Sequence, residues 1–163
     1  MSTDAGGSPA FDPVAATEAA HGFRNTARLI EEARRNKHAD FSKAPLTVEL
    51  VKEQVALGIS ATVLHALAVE LILKTRIHRE TGKAPRGHDL GKLFSTLPLG
   101  AQQEAQNRYD SHRRFVAIHS TIQEALTRHA STFVEWRYPH ERIHEGVSPM
   151  ELDRAFLALA EGL

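Results

Sequence analysis

Residues Val55–Phe94 read VALGISATVLHALAVELILKTRIHRETGKAPRGHDLGKLF, and this stretch decides the fold. Its first half is the most apolar run in the chain. Its second half is a polar turn that leads into Gly87-His88-Asp89-Leu90. A long apolar run followed by a turn and a capping residue predicts a buried central helix, a turn and a capped short helix.

The composition is that of an ordinary globular protein without cysteine chemistry. The chain has 163 residues, of which 42% are apolar and 25% charged, and this suits one domain with a substantial core. Basic and acidic residues balance at 20 each, so the overall charge indicates neither a nucleic-acid nor a membrane partner. Cysteine is absent, which excludes disulfides, a thiol nucleophile and a cysteine-based zinc site, and it fits a cytoplasmic location.

The N-terminus shows no export signal. Residues 1–13 are mostly small or polar, with no basic start and no apolar core. We therefore expect a disordered tail over residues 1–12 and a single helical-bundle domain over residues 13–163.

The longest apolar run, Val55–Leu73, predicts a core helix rather than a membrane span. Small or polar residues interrupt it at Gly58, Ser60, Thr62, His65 and Glu70. Apolar residues recur at helical spacing from Val48 to Leu73, and further leucines widen this stripe until most sides of the helix are apolar. Thr47 is the predicted N-cap, and Thr81-Gly82 is the predicted end.

The other helix boundaries follow from capping residues, prolines and glycines. We predict helices that begin after Asp12, His88 or Asp89, Pro98, Thr121 and Ser148, and that end near Asn36, Leu97, Ser111, Tyr138 and Gly162. No strand pattern or internal repeat is visible in the sequence. The sequence therefore predicts an all-α bundle of five to six helices.

Three segments resemble the HEPN superfamily, and more narrowly small bacterial HEPN-like proteins. They are Ala68–Lys74, Gly87–Phe94 and Phe133–Tyr138, which carry the patterns ELxLK, GHDLxxLF and FxxWRYxxE in that order. The resemblance covers roughly residues 46–141. It implies an antiparallel, HEPN-like helical bundle that forms a homodimer.

The resemblance also implies a range of functions. Many HEPN proteins are metal-independent ribonucleases of toxin–antitoxin, abortive-infection or CRISPR-linked systems, and their catalytic signature is an arginine, four to six residues, and a histidine. For this chain it implies RNA or a nucleotide as ligand, a partner protein such as an antitoxin, no cofactor and no membrane. The alternative is a non-catalytic dimeric module that binds a protein or a nucleotide.

Two arginine–histidine pairs match the spacing of that signature. Four residues separate Arg114 from His119, and six separate Arg137 from His144. In such a pair the histidine takes the 2′-hydroxyl proton of RNA, and the arginine neutralises the charge that grows on the phosphate. A predicted helix start follows the first pair and Pro139 interrupts the second, so a structural role for both pairs stays open.

Polar residues beside the apolar helix are candidates for a binding groove. Glu70 and Lys74 are four residues apart, and they either line such a groove or form an ion pair at the edge of a buried helix. His88 and Asp89 either belong to the same groove or cap the following helix.

Tyr138, His140 and Glu141 extend the candidate groove in the third segment. Arg137 either pairs with a carboxylate such as Glu141, as a structural brace, or faces a phosphate. Aromatic residues lie among the basic residues between Arg108 and Arg142. This mixture suits single-stranded RNA, whereas a solvated helix face with its aromatic side chains in the core is the simpler interpretation.

His140-Glu141-Arg142-Ile143-His144 matches the HExxH string of zinc proteases. Pro139 precedes the string, and the short remaining chain shows no third ligand in the expected continuation. Zinc sites need three or four protein ligands, so we expect no metal site here.

Overall fold

The computed structural model describes residues 11–41, 47–112, 121–130, 132 and 148–163. These residues form six helices: α1 Pro13–Phe41, α2 Val48–Thr81, α3 Leu90–Ser95, α4 Leu99–Ser111, α5 Ile122–Arg128 and α6 Pro149–Ala160. The described residues contain no strand. The fold is therefore an all-α bundle, as the sequence predicts.

The long apolar segment is the central helix α2, and both of its predicted ends are confirmed. The Thr47 side chain accepts a hydrogen bond from Leu50 N at 3.3 Å. Gly82 ends the helix with φ at 69°, and its N–H donates to His78 O at 2.7 Å. Glycine adopts this left-handed conformation without a steric penalty, so it closes the helix where a larger residue would be strained.

Helix α1 packs along α2 and is longer than predicted. Its start is confirmed, because Asp12 Oδ1 accepts hydrogen bonds from Val14 N at 2.9 Å and Ala15 N at 3.1 Å. Its predicted end near Asn36 is wrong, because the helix continues to Phe41. Residues 36–41 contain neither proline nor glycine, so no residue there breaks the helix. Packing of α1 against α2, with which it forms a helical hairpin, also stabilises it.

Helix α5 begins where predicted and ends earlier. Thr121 and Glu124 form the predicted capping box, with bonds of 3.1 Å and 2.8 Å between each side chain and the other residue's N–H. The predicted continuation to Tyr138 is wrong, because the helix ends at Arg128. After that point Ala130 N donates to Thr127 O, which is the tighter three-residue spacing that commonly closes a helix. The predicted end of α3 at Leu97 is similarly two residues too late.

The core surrounds the C-terminal half of α2. Val69, Ile72 and Leu73 are completely buried there. Together with residues of all five other helices they form one apolar cluster. Its largest fully buried side chains outside α2 are Tyr109, Phe156, Ile122, Leu126, Leu152 and Leu159. A single contiguous core of this kind explains why the most apolar segment became the centre of the bundle.

Helices α3 and α5 approach each other closely at Gly91. A Cβ atom at this position would lie 2.8 Å from Thr127 Oγ1 and 3.2 Å from Thr127 Cα. The side chain of Gln123 also donates to Gly91 O at 3.2 Å. Any side chain at Gly91 would therefore push the two helices apart.

Three arginines from α2 and α4 hold the C-terminal end of α6. The pairs are Arg76 with the carbonyl of Leu159 at 3.2 Å, Arg79 with that of Gly162, and Arg108 with that of Glu161. Cationic donors at these carbonyls satisfy backbone groups that the helix leaves unpaired and complement its dipole. The end of α6 is thus tied to two other helices.

The N-terminal part of α2 carries three exposed valines. Val48, Val51 and Val55 are 65%, 42% and 55% exposed. They continue the helical stripe that is buried from Thr62 onward. None of the described residues packs over this part of the stripe.

Helix α2 also meets the length and composition criteria for a helix that crosses a membrane, the one described helix to do so. Its most apolar 18-residue window is 44% buried inside the bundle. Core helices of globular proteins pass the same test, so this finding is weak evidence for a membrane span.

Candidate functional site

Glu70, Lys74 and His88 form a polar cluster beside the core, called the Glu70 cluster below. Glu70 Oε1 accepts a hydrogen bond from Lys74 Nζ at 2.8 Å. His88 Nδ1 lies 2.9 Å from Glu70 Oε1 and 3.1 Å from Oε2. The side chains of Glu70 and Lys74 are only 7% and 15% exposed, whereas that of His88 is 54% exposed. A buried carboxylate therefore connects a partly buried cation to an accessible imidazole.

Local structure explains how these side chains meet. Glu70 and Lys74 lie on successive turns of α2, where side chains four residues apart are neighbours. Gly87, with φ at 89°, reverses the chain between α2 and α3. Its left-handed conformation favours glycine, and the turn brings His88 back against α2.

Asp89, and not His88, caps α3. Its Oδ1 accepts a hydrogen bond from Lys92 N at 2.9 Å. This bond from the backbone N–H of Lys92 is the largest cause of a lowered pKa for the Asp89 carboxyl, and the charge of Lys92 adds to it. Asp89 therefore caps α3, which is the structural role that the sequence offered as the alternative to a place in the binding groove.

Asp89→Ala should lower the free energy of unfolding by about 0.5–2 kcal/mol, the usual range for a lost cap. Because the folded pKa is lowered, the contribution of the ionised cap is present above the ordinary value of 3.8. It is lost as the pH falls through the lowered value in the folded protein. Urea denaturation at a series of pH values measures both effects.

Asp89→Asn is the matched control, since asparagine caps as well as aspartate but carries no charge. This variant should keep most of the stability at neutral pH and lose the part of the acid dependence that Asp89 causes. An Asp89→Ala protein as stable as the wild type would contradict the capping role.

The Glu70 cluster can hold an imidazole in one orientation. A carboxylate only accepts hydrogen bonds, so the neutral ring of His88 carries its proton on Nδ1 and its basic nitrogen is Nε2. A histidine oriented by a carboxylate is the arrangement that general acid–base catalysis uses. The same contacts also form a satisfied ion-pair network that needs no ligand.

The remaining predicted site residues lie outside the described residues. They are Arg114, His119, Arg137, Tyr138, His140, Glu141 and His144. Both arginine–histidine pairs and the HExxH string therefore stay predictions. Of the sequence candidates that are described, Glu70, Lys74 and His88 come together, and Asp89 lies next to them in the cap of α3.

A second polar cluster, around His65, was not predicted. The buried His65 ring has Nε2 at 3.5 Å from Glu31 Oε1 and Nδ1 at 3.9 Å from Asp153 Oδ1. Arg24 Nε donates to the same Asp153 oxygen at 2.6 Å. These residues come from α1, α2 and α6, so no sequence spacing connects them. The one available signal was a histidine inside an apolar run.

His129, the C-cap residue of α5, has a fully buried side chain. Its Nε2 lies 3.4 Å from Glu151 Oε2. Burial lowers the pKa of His129, although the neighbouring Glu151 acts in the opposite direction. His129 is therefore a packed imidazole that favours the neutral form.

No group of three or more His, Asp or Glu side chains in the described part of the chain is arranged to hold a metal ion. Comparison with known proteins supplies no relative from which a role could be carried over. No family model, no curated protein and no solved structure matches this chain.

Proposed function

We propose that this chain is a HEPN-like protein of a bacterial stress or defence setting that acts on RNA or a nucleotide as a metal-independent endoribonuclease. One observation carries the proposal: two of the three motifs that resemble HEPN proteins meet in space. Glu70 and Lys74 come from the first motif and His88 from the second, and they join in the Glu70 cluster. The proposed setting is cytoplasmic, and the proposed partners are RNA or a nucleotide and an antitoxin-like protein.

The proposed chemistry uses His88 as the general base. Nε2 of His88 takes the proton from the 2′-hydroxyl of RNA, and Glu70 stabilises the imidazolium through Nδ1. The 2′-oxygen then forms a bond to phosphorus, and the bond from phosphorus to the 5′-oxygen breaks. The leaving 5′-oxygen takes a proton from water, and the His88 imidazolium later returns its proton to solvent. The expected products are a 2′,3′-cyclic phosphate and a free 5′-hydroxyl. Arg137 or Arg114 is the predicted cation for the phosphate.

Cleavage of single-stranded RNA in the presence of EDTA tests this proposal. The wild type should cleave, and His88→Ala should reduce the rate by about 10²–10⁴, the usual contribution of a general base. The melting temperature of this variant should change little, because the His88 side chain is more than half exposed. His21→Ala, which removes an exposed histidine of α1, should keep the wild-type rate.

Two outcomes would change the proposal. A wild type without EDTA-resistant cleavage would contradict the nuclease function. Cleavage by His88→Ala at the wild-type rate would move the base to His119 or His144. Alanine substitutions of both members of one pair, Arg114 with His119 or Arg137 with His144, would then have to abolish the activity in folded protein.

A non-catalytic module that binds a protein or nucleotide is the second candidate. It is favoured because Glu70 already has hydrogen-bond partners for both oxygens and Asp89 is engaged in a cap. A polar cluster whose groups are satisfied by each other persists without a substrate. Binding of RNA or a nucleotide without cleavage, measured by calorimetry under the same conditions, would favour this candidate.

We also propose that the protein is a homodimer that covers the exposed valines of α2. Sedimentation at roughly tens of micromolar should show a dimer, since weak dimers still associate in that range. Val51→Lys should shift the protein to the monomer, because it places a charge in the proposed interface. Leu99→Lys alters a leucine that is 82% exposed on α4 and should leave the dimer intact. A wild type that sediments only as a monomer would contradict the proposal.

A further inference from the structure

The turn that joins α2 to α3 lies beside the Glu70 cluster and contains His88. It comprises residues 82–89, called the basic turn below, and its two glycines, Gly82 and Gly87, have φ angles of 69° and 89°. Pro85 stands between the glycines, and its ring fixes one more backbone angle. All residues from 82 to 88 except Pro85 are exposed. The side chains of the basic turn are therefore accessible to a ligand next to the candidate base.

This part of the chain is positively charged, although the whole chain is neutral. Residues 70–92 contain six basic and three acidic residues, whereas the chain as a whole contains 20 of each. An overall charge of zero therefore coexists with a local positive charge around the turn. A local excess of cations attracts a polyanion even when the net charge of the protein does not.

Two of the six cations are free to bind a ligand. Lys83 and Arg86 lie in the basic turn, are exposed, and have no ion pair or side-chain hydrogen bond with another described residue. A ligand at these two side chains would therefore break no existing contact. The other four cations have partners in the fold, which are Glu70 for Lys74, Glu104 for Arg76, Asp89 for Lys92 and the carbonyl of Gly162 for Arg79.

Both free cations lie close to His88 along the chain. Consecutive Cα atoms are about 3.8 Å apart, so the Cα atoms of Arg86 and His88 are separated by no more than about 7.6 Å. Lys83 lies nearer the other end of the turn, three residues before Arg86. With a 2′-hydroxyl at Nε2 of His88, Arg86 faces a phosphate beside the cleaved one, and Lys83 faces a phosphate further along the strand.

The surface of the basic turn fits a phosphate backbone better than it fits a protein. Among the described residues, no large apolar side chain is exposed between Val55 and Leu99. Protein interfaces depend on a central group of aromatic and apolar anchors, and this surface offers none. Exposed lysine and arginine side chains bind phosphate backbones without such a centre. The composition of the surface therefore favours a nucleic acid over an acidic protein.

The basic turn also has no platform on which a base could stack. It contains no aromatic residue, and Phe94, which follows it in the chain, is buried in the core. Proteins that bind single-stranded nucleic acids usually stack the bases on exposed aromatic side chains. Contacts at this turn are therefore expected with phosphates, which carry no sequence information.

We propose that the basic turn binds the backbone of single-stranded RNA at the Glu70 cluster. Arg86 and Lys83 bind two phosphates on one side of the cleaved bond, and they do so independently of the base sequence. The ligand is then a strand rather than a free nucleotide, because a mononucleotide has one phosphate for the two cations. This inference rests on the proposed function, since it places RNA at His88.

Fluorescence anisotropy with a 2′-O-methyl oligouridylate of about 12 nucleotides measures binding by the full chain. This probe has no free 2′-hydroxyl, so it binds without being cleaved. The wild type should bind it with an affinity that falls as the NaCl concentration rises from roughly 50 to 200 mM, because binding releases counterions from the strand. Uridine 3′-monophosphate should bind at least about tenfold more weakly, since it offers one phosphate instead of several.

Substitutions in the basic turn assign the contacts. Lys83→Gln and Arg86→Gln should each weaken binding about fivefold, the upper end for one exposed charge pair. Each should also reduce the slope of log K against log salt concentration by about 0.7, the value for one phosphate contact of a single strand. The corresponding oligoadenylate should show the same factors, since this turn does not contact the bases.

Lys52→Gln and Arg35→Gln are the matched controls. They remove the same charges at exposed positions of α2 and α1, so the net charge of the protein changes equally. Lys52 is about 45 Å from the basic turn along α2 at 1.5 Å per residue, which is several Debye lengths at roughly 0.1 M salt. Both controls should leave the affinity and the salt slope unchanged. All four positions are exposed, so the melting temperatures should stay close to that of the wild type.

The proposal is overturned if the wild type does not bind the oligonucleotide, or if Lys83→Gln and Arg86→Gln bind it as tightly as the two controls do. It is also overturned if uridine 3′-monophosphate binds as tightly as the strand, or if polyglutamate displaces the strand as readily as unlabelled RNA does. The last result would favour an acidic protein as the partner.

Cleavage is a separate measurement from binding. A wild type that binds the strand through Lys83 and Arg86 but does not cleave RNA would contradict the nuclease function alone. A wild type that cleaves RNA while both variants bind normally would contradict this inference alone.

Discussion

Leu73→Ala should lower the free energy of unfolding by about 2–5 kcal/mol, the range observed for truncating a buried leucine. Leu73 is completely buried on α2, in the same apolar cluster as Leu126 of α5 and Phe156 of α6. The lost methyl groups would leave a cavity between rigid helices that can close it only in part. Urea denaturation followed by circular dichroism measures the change.

Alanine substitutions of two less buried leucines are the controls for this loss of stability. Leu29→Ala removes the same atoms at a position that is 66% exposed, so it should change stability by no more than about 0.5 kcal/mol. Leu71→Ala, at a partly buried position of α2, should fall between the two. A Leu73→Ala protein no less stable than Leu29→Ala would show that α2 is not the centre of the core.

Glu70→Ala should be still more damaging, at about 3–5 kcal/mol. The substitution leaves the Lys74 ammonium, whose side chain is 15% exposed, without the carboxylate to which it is bonded. An unpaired charge in a buried place loses the compensation that made its burial tolerable. The same denaturation experiment at neutral pH measures the loss.

A double substitution distinguishes the effect of the Glu70–Lys74 ion pair on stability from the effect of side-chain packing. Glu70→Met together with Lys74→Met replaces both charges by apolar groups of similar size and should recover most of the lost stability. Glu53→Ala breaks the ion pair with Lys37, whose side chains are about half exposed, and should cost no more than about 1 kcal/mol. If Glu70→Ala lowers the free energy of unfolding as little as Glu53→Ala does, the Glu70–Lys74 pair is solvated rather than buried.

The bundle was predictable where single residues fix the backbone. Four helices begin at capping residues that the sequence indicated. These caps are Asp12 for α1, Thr47 for α2, Asp89 for α3 and Thr121 for α5. Such caps act through bonds to N–H groups two or three residues away, so their signal is local and visible in sequence. The apolar run of α2 predicted a buried helix just as directly, because a helix at the protein surface is apolar on one side only.

The errors lie where no local residue decides the boundary. The end of α1 at Phe41 and that of α5 at Arg128 are not marked by proline or by an adjacent glycine. In such places tertiary contacts override the weak preferences of single residues. A single sequence carries little information about those contacts.

The candidate site was predictable only in part. Glu70 and Lys74 were paired from their spacing, since helix geometry alone brings them together. The bond from His88 to Glu70 spans a turn between two helices, and the resemblance, rather than any spacing rule, brought both residues into one candidate groove. The His65 cluster depends on the relative positions of different helices, which only the folded structure supplies.

The contacts that arginines of earlier helices make with α6 have a consequence for folding during synthesis. Arg76 and Leu159 are 83 residues apart, and Arg24 and Asp153 are 129 apart. The α1–α2 hairpin can form early, but the core side of α2 is not fully covered until α6 has been made. At about 5–20 residues per second this interval lasts several seconds. During this interval the nascent chain exposes apolar surface of α2 to aggregation or to a chaperone.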